Sequence, residues 1–399
     1  MVDVERLLAR VRGPLAAHAR GFHEELLREG YSALTAKGWV TVMAHLSRWM
    51  GEHGLEAGGL SPECAAQYCD ARRRAGYSTC RSPRSLDPLL RFLRAQKVTP
   101  EVPVREPVTA EEHLLARYHD YLAEERGLVP AVVAAWDCCA QLLITELPGL
   151  CGTGPDVNAA SITGLLARER PRRGKNLVAA LRSFLRFLYL DGRIEMPLAQ
   201  AVPAVAGWKG ASLPRWVAPD KVARLLGGCD RRTVVGRRDH AVLLCLSRLG
   251  LRVGEVAAMR LDDIDWHAGE IMVRGKGGTQ ERLPLPSDVG ESIAGYLRRG
   301  RPPTQIRTVF LSARAPIAGM STSAIRAVVY RGCTRAGIRR VSAHQLRHSA
   351  ATAMLQAGAT LPEVGQVLRH RRLDTTAMYA KVNHVALREL ALPWPGEVA

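Results

Sequence analysis

Two proline-rich stretches interrupt the chain and limit what it can fold into. Residues 98–107 hold three prolines, and residues 196–219 hold several prolines and glycines. Such runs are typical of extended linkers, because proline fixes one backbone angle and has no backbone donor. The sequence therefore predicts three domains, at about residues 1–100, 108–205 and 215–399.

The first two segments have the apolar periodicity of helices. Four apolar residues fall on one face of a helix in the first segment, namely Met43, Leu46, Trp49 and Met50. Gly30 and Gly127 stand at corresponding places in the two segments, each nine residues before a tryptophan. We therefore expect two helical domains and interpret the repeated layout as a weak sign of duplication.

The third segment mixes helical and strand patterns. An apolar helix is predicted over residues 239–249, and a β-hairpin over residues 270–285 with a glycine-rich turn at 275–279. Ser342 and Gln345 have the spacing of a capping box, which predicts a helix that starts there. The predicted fold class is therefore multidomain: mainly α N-terminal domains, then a mixed α/β domain with a small antiparallel sheet.

The charge of the chain restricts its partners. The formal net charge is +18 and the pI is near 10.0, and residues 213–399 carry most of the excess, +14. This indicates a polyanionic partner, most simply double-stranded DNA. Basic clusters such as Arg72–Arg74 are predicted to contact the DNA backbone.

Other classes of protein fit the sequence less well. No apolar run approaches the roughly 18 residues that span a bilayer, so we expect no membrane partner. The N-terminus lacks the pattern of a signal peptide. Nine scattered cysteines without a Cys-x-x-Cys pair predict neither a disulfide framework nor a zinc site, and favour reduced thiols in the cytoplasm.

One tyrosine near the end of the sequence follows an ordered set of basic side chains. The set is Arg252, Lys276, His344, Arg347, His370 and Tyr379. Guanidinium forks bind phosphate oxygens through paired hydrogen bonds, and histidine moves protons near neutral pH. Because tyrosine can act as a covalent nucleophile, the set suits attack of a phenolic oxygen on a phosphodiester.

The sequence around these residues resembles the tyrosine recombinase (phage integrase) family. Residues 250–255, Gly-Leu-Arg-Val-Gly-Glu, resemble its first-arginine box, and residues 344–348 resemble its His-x-x-Arg box. Residues 368–379 resemble its closing motif with the tyrosine, and the spacing of 24 residues from Arg252 to Lys276 is also similar. The match covers about two fifths of the chain.

The resemblance implies a role for each residue. Tyr379 attacks the scissile phosphate and forms a 3′-phosphotyrosyl intermediate, with His344 as base and Lys276 as acid. Glu255 supports the site by orienting the first arginine. The developing charge is neutralised by three cationic side chains, those of Arg252, Arg347 and His370. No cofactor or metal is implied, because the phosphotyrosine retains the bond energy.

Two neighbouring residues receive other expectations. His348 lies four residues after His344, but no Glu follows His344 as in a His-Glu-x-x-His zinc motif, so His348 is expected to be structural. Arg369 stands where a glycine is common in this family. The backbone conformation of that turn is therefore open, and Arg369 is a further candidate for DNA contact.

The resemblance also implies partners and leaves domain roles open. A homotetramer on two DNA duplexes is expected, with accessory recombinases as optional partners, at the nucleoid of a bacterium. Residues 108–205 resemble the core-binding (SAM-like) domain. Residues 1–100 fit a second such copy, an arm-type module or a plain helical extension, and the apolar tail, residues 384–394, fits docking in trans or in cis.

Three other functions remain open at this point. A type IB topoisomerase uses similar residues, and a non-catalytic DNA-binding regulator or a basic helical scaffold would share the charge. The complete ordered set favours a site-specific recombinase, or integrase, that serves a mobile element through integration or transposition.

Overall fold

The computed structural model describes residues 2–80, 82–101, 106–146, 158–203, 216–275 and 279–369. Its described residues divide into two compact units. One unit takes in residues 1–102 and 210–399, and the other takes in residues 103–209.

The first part of the larger unit is helical, as the sequence predicts. Its helices are α1 (Val2–Leu8), α2 (Ala19–Arg28), α3 (Ala33–Glu52), α4 (Pro62–Arg74) and α5 (Asp87–Ala95). Met43, Leu46 and Met50 of α3 are completely buried, together with Phe22 of α2. The predicted apolar face of α3 is therefore confirmed, and these side chains form a core of their own.

The prediction that Arg72 contacts DNA is wrong. Its side chain is buried, and its guanidinium lies over the ring of Tyr77 at 4.1 Å from the ring centre. It also donates to the backbone oxygen of Thr79 at 3.2 Å. Stacking on an aromatic ring and donation to a carbonyl stabilise a buried arginine, so Arg72 holds the end of α4 against the following loop.

The described residues of the smaller unit form three α-helices around an aromatic core. They are α6 (Ala110–Asp120), α7 (Pro130–Glu146) and α8 (Ala159–Leu190), with a π-helical turn, Tyr121–Glu125, after α6. The ring centres of Tyr118 and Phe184 are 4.9 Å apart in an edge-to-face contact. Gly127, like Gly30 in the larger unit, has a positive φ in the turn that precedes a helix, which matches the layout expected from the sequence.

The last part of the larger unit is mixed α/β. Its helices are α9 (Pro219–Gly227), α10 (Val234–Ser247), α11 (Val253–Ala258), α12 (Ser287–Arg299), α13 (Thr322–Ala336), α14 (Ala343–Gln356) and α15 (Leu361–Val367). Its strands are β1 (Ile264–Asp265), β2 (Glu270–Arg274) and β3 (Gln280–Pro284). The three strands form an antiparallel sheet in the order β1-β2-β3, so the predicted hairpin is confirmed.

Local sequence explains most of these elements. In the sheet, Ile271 pairs with Leu283 and both side chains are buried, whereas the exposed Arg274 pairs with the exposed Gln280. Alternation of this kind buries one face of a hairpin. Helix α10 starts five residues earlier than predicted, because the Thr233 hydroxyl accepts a hydrogen bond from the Gly236 amide and caps it.

Helix α14 begins as the sequence predicts. The Ser342 hydroxyl accepts from the Gln345 amide, and the Gln345 side chain accepts from the Ser342 amide at 2.8 Å. These reciprocal bonds satisfy two free donors at the helix start and confirm the capping box. Helix α14 therefore presents its first turn at a defined place beside α11.

No helix in the described part of the chain is both long and apolar enough to cross a bilayer.

Candidate active site

A cavity of about 320 Å³ collects three of the basic residues that the sequence singles out. It lies where α11, α13 and α14 meet, and we call it the arginine pocket. Its lining residues are Leu251, Arg252, Val253, Gly254, Arg326, Tyr330, Ser342, Ala343, His344 and Arg347. Arg252, His344 and Arg347 therefore share one cavity. His344 and Arg347 follow Arg252 in the sequence by 92 and 95 residues.

Arg252 is held at the first turn of α11. Its guanidinium Nη1 donates to Glu255 Oε1 at 2.7 Å, and its backbone amide donates to Glu255 Oε2 at 2.8 Å. The Arg252 side chain remains 46% exposed whereas that of Glu255 is only 4% exposed. A buried carboxylate thus fixes the guanidinium of a side chain that is still about half exposed to solvent, where an anion can bind.

Gly250, two residues before Arg252, is suited to its position by its backbone conformation and by its small size. Its φ is +59°, a left-handed value that glycine adopts without strain. A Cβ atom here would lie 2.6 Å from Leu368 Cδ2. A larger residue here would therefore strain the backbone and force the Leu368 side chain to move.

Arg347, on α14, is almost completely buried, with 3% of its surface exposed. Its Nη1 donates to the backbone oxygen of Gly250, and its Nη2 donates to the backbone oxygen of Leu368. Both bonds are charge-assisted and therefore stronger than bonds between neutral groups. Arg347 joins the loop before α11 to the turn after α15.

The turn formed by Leu368 and Arg369 is the common anchor of both arginines. Arg347 donates to the oxygen of Leu368, and Arg252 Nη2 donates to the oxygen of Arg369 at 3.0 Å. Two successive carbonyl groups therefore accept from the guanidinium groups of Arg252 and Arg347. The described chain ends at this turn, one residue before His370.

The interpretation of Arg369 as a DNA contact is wrong. Its side chain is only 4% exposed and donates to Glu255 Oε2 at 2.7 Å. Its φ of +55° answers the open question about the backbone, since the turn takes the left-handed conformation without a glycine. A buried carboxylate next to the turn attracts the guanidinium inward, and the local sequence gives no sign of it.

Glu255 is ionised in this setting. Burial alone would raise the pKa of its carboxyl group, but the charge of Arg369 and the hydrogen bonds and charge of Arg252 outweigh it. The net pKa is below the ordinary value. Glu255 is therefore a carboxylate at neutral pH and counters part of the positive charge of the pocket.

His344 lies on the exposed rim of the pocket and is suited to accept a proton. Partial loss of water around its ring and the positive charges of Arg347 and Arg252 lower its pKa. The ring of His348 meets it edge to face, with the ring centres 4.3 Å apart. Because an imidazole with a lowered pKa is neutral at pH 7, it is available as a base.

His348 is buried and stays neutral well below pH 7. Burial, with the nearby His344 and Arg347, lowers its pKa to about 4. This agrees with the structural role expected from the sequence. The side chain of His348 is shielded from solvent and packs against the ring of His344.

The buried His348 predicts a dependence of stability on pH. Its folded pKa lies below the unfolded value of 6.5, so its contribution is complete above pH 6.5 and is lost as the pH falls toward 4. Wild type should lose stability between pH 7 and pH 5. In His348→Gln that loss should be smaller by about 1–2 kcal/mol. Urea unfolding at both pH values measures this, and His267→Gln, at an exposed position, should keep the wild-type dependence. An equal loss in all three proteins would contradict the prediction.

Three of the predicted residues, Lys276, His370 and Tyr379, lie outside the described residues. The residues that flank the turn with Lys276 are described, and there the Gly275 amide donates to the Thr279 backbone oxygen at 2.7 Å. This bond closes the hairpin on either side of the turn. Among the described residues, no group of three His, Cys, Asp or Glu side chains is arranged to hold a metal ion.

The pocket also contains two residues that sequence reasoning missed. Arg326 and Tyr330 are four residues apart on α13, so they share one face of the helix and line the cavity together. The guanidinium of Arg340 lies over the Tyr330 ring at 3.5 Å. Their spacing was visible in the sequence, but nothing indicated that this face of α13 meets the pocket.

Comparison with known proteins identifies the class. The sequence profile of the phage integrase family matches residues 215–385. A putative integrase/recombinase, y4rA of Sinorhizobium fredii, is 41% identical over 96% of both chains. The tyrosine recombinase XerD of Mycobacterium tuberculosis is 32% identical over 71% of this chain and 88% of its own.

Solved structures share the fold. A lambda integrase dimer bound to a COC′ core site has a TM-score of 0.54, with 16% identity over 75% of this chain and 87% of its own. A lambda integrase tetramer bound to a Holliday junction has a TM-score of 0.53, with 17% identity over 73% and 85%.

The chain belongs to the phage integrase family of tyrosine recombinases. It is a site-specific DNA recombinase, an enzyme that cuts and rejoins DNA, and its multidomain, mainly helical fold with a small antiparallel sheet is the fold expected from its sequence.

Proposed function

We propose that the arginine pocket binds the scissile phosphate and that Tyr379 attacks it. The observation that carries this proposal is the shared anchoring of Arg252 and Arg347 on the turn that leads to His370. Two guanidinium groups beside an exposed imidazole match a phosphodiester in charge and hydrogen-bonding capacity. The half-exposed Arg252 side chain leaves the pocket open to a phosphate from solvent.

The proposed cleavage transfers the phosphate from the 5′ oxygen of the DNA to Tyr379. The Tyr379 oxygen forms a bond to phosphorus, the bond between phosphorus and the 5′ oxygen breaks, and the product is a 3′-phosphotyrosyl linkage. His344 takes the phenolic proton, and Lys276 gives a proton to the leaving 5′ oxygen. Charge on the pentacovalent phosphorus is neutralised by three side chains, those of Arg252, Arg347 and His370.

Rejoining is the reverse step with a different 5′ hydroxyl. Because the phosphotyrosine conserves the energy of the broken bond, a hydroxyl of a second duplex can displace the tyrosine. Glu255 supports both directions by holding Arg252. The pathway needs no reactant besides DNA.

The remaining domains are proposed to hold DNA and partners. We infer that residues 108–205 act as a core-binding domain, and that residues 1–100 are a second copy of it, since both have a helix after a glycine turn. Four protomers are proposed to assemble on two duplexes, with docking of residues 384–394 in trans. We infer transposition or integration of a mobile element at the bacterial nucleoid as the biological setting.

A covalent-trapping assay tests the proposal. Duplexes that tile the DNA flanking the gene would carry a nick, so that cleavage releases a short strand and prevents rejoining. We expect a DNA–protein adduct that survives denaturation and depends on one duplex sequence. Binding without any adduct would overturn the proposal and favour a regulator.

A second assay separates recombination from topoisomerase activity. A swivelling topoisomerase relaxes supercoils of any plasmid, whereas a recombinase requires its own site on two duplexes. We expect no relaxation of a plasmid without the site, and exchange of flanking DNA when two sites are supplied. Relaxation without sequence preference would identify the topoisomerase alternative.

The proposed acid makes a specific prediction. Lys276→Ala should slow cleavage by about 10²–10⁴-fold, the usual contribution of a general acid. A substrate in which sulfur replaces the leaving 5′ oxygen should restore most of the rate, because a thiolate leaves without a proton. Single-turnover cleavage of the two substrates measures this, and equal slowing of both would reject Lys276 as the acid. Lys221→Ala, at an exposed position on α9, serves as the control.

A further inference from the structure

Arg369 is an arginine in a conformation and an environment that both disfavour it. Its φ is +55°, a left-handed value that costs a residue with a side chain about 1–3 kcal/mol. Its side chain is 4% exposed, and a buried guanidinium is costly unless it is paired. Only strong compensating contacts retain such a residue in this turn.

Two of the contacts of Arg369 connect it to Arg252 of the arginine pocket, and a third lies within its own turn. Its Nη2 donates to Glu255 Oε2 at 2.7 Å, and its Nη1 donates to the Val367 oxygen at 2.8 Å. Its own backbone oxygen accepts from Arg252 Nη2 at 3.0 Å. Arg369 is thus linked to Arg252 twice. The first link is direct, through the Arg369 backbone oxygen, and the second runs from the Arg369 side chain through Glu255.

These contacts form a closed ring. From Arg252 Nη1 the ring passes to Glu255, from Glu255 to the Arg369 side chain, and from the Arg369 oxygen back to Arg252 Nη2. The turn therefore orients Nη2 of Arg252 directly, and it reaches Nη1 through the Arg369 side chain and Glu255. Without the Arg369 side chain, Glu255 would keep only Arg252 as its partner in this ring, and the turn would lose its tie to the carboxylate.

We propose that Arg369 is a positioning residue for DNA cleavage, which fixes the Arg252 guanidinium by clamping Glu255 to the turn before His370. This inference rests on the proposed role of Arg252 at the scissile phosphate. It assigns no contact between Arg369 and DNA. The ring has to be complete for Arg252 to meet the phosphate in one orientation.

Three substitutions separate positioning from folding. Arg369→Gly removes the clamp and also the backbone strain, whereas Arg369→Ala removes the clamp and keeps the strain. Arg369→Lys keeps the charge opposite Glu255 but lacks the planar fork. We expect the Gly variant to be more stable than the Ala variant but to cleave equally slowly, about tenfold or more below wild type, and the Lys variant to recover part of the rate.

A double-substitution cycle with Glu255→Gln tests whether Arg369 acts on cleavage through Glu255. If Arg369 acts through Glu255, Arg369→Gly should slow cleavage much less when it is combined with Glu255→Gln than when it is made in wild type. The pH profile adds a second readout. Because Arg369 opposes the effect of burial on the Glu255 pKa, Arg369→Gly should raise that pKa. The Glu255 titration should then add to that of His344 and shift the acid limb of cleavage to higher pH, and the double variant should lack that shift.

The outcomes are distinct. The inference is supported if wild type cleaves DNA through Tyr379, the two substitutions are coupled in the cycle, and Arg369→Gly shifts the acid limb to higher pH. Unchanged cleavage in Arg369→Gly, losses that multiply in the cycle, or a loss that follows thermal stability across the three variants overturns it. Absence of any adduct in wild type would instead overturn the proposed function.

Discussion

Tyr379→Phe should abolish the covalent DNA adduct and leave DNA binding in place. The phenolic oxygen is the atom that forms the bond to phosphorus, and phenylalanine has no group that can replace it. The phosphate is held by the arginines of the pocket, so removal of one hydroxyl leaves the main electrostatic contacts intact. Trapping on a nicked duplex measures the adduct, and a gel-shift titration measures binding.

The structure offers a matched control for this experiment. Tyr330 lines the arginine pocket and lies under the Arg340 guanidinium, so it is the described phenol nearest to the phosphate site. Tyr330→Phe should form the adduct at a rate similar to that of wild type. The assignment of Tyr379 would be rejected if Tyr330→Phe lost the adduct while Tyr379→Phe kept it.

Arg347→Ala should have the second largest effect, on cleavage and on folding together. Loss of one buried cationic donor to the transition state costs about 10²–10³-fold in rate. The oxygens of Gly250 and Leu368 would also lose their charged donor, at about 1–3 kcal/mol for each buried unsatisfied group. Single-turnover cleavage well below the melting temperature of the variant and urea unfolding measure the two losses separately.

Two further variants separate the role of the Arg347 guanidinium from the effect of positive charge alone. Arg347→Lys keeps the charge but cannot reach both carbonyl groups with one ammonium, so we expect it to recover binding more than cleavage. Arg314→Ala, at an exposed arginine outside the pocket, controls for loss of positive charge and should resemble wild type. Cleavage by Arg347→Ala at the wild-type rate would contradict the assigned role of Arg347.

Much of the fold was predictable because its signals are local. The capping box at Ser342 and the hairpin around residues 275–279 depend on neighbours within a few positions. The start of α10 was missed because its cap, Thr233, lies before the apolar run that marks the helix. A cap is recognised from geometry more readily than from composition.

The least predictable features depend on distant partners. Arg369 is drawn inward by Glu255, 114 positions away, and Arg72 is held by two aromatic rings and a loop oxygen. In sequence each is one more basic residue in a basic chain, for which DNA contact is the simpler prediction. Burial decides between the two roles, and burial follows from tertiary packing.

The most direct test of the central claim is to find the residue that carries the DNA. After trapping on a nicked duplex and nuclease digestion, trypsin should release residues 373–381 around Tyr379 and residues 327–331 around Tyr330 as separate peptides. We predict by mass spectrometry a nucleotide linked through its 3′ phosphate to Tyr379. A nucleotide found on Tyr330, or on any other residue, would contradict the proposed mechanism.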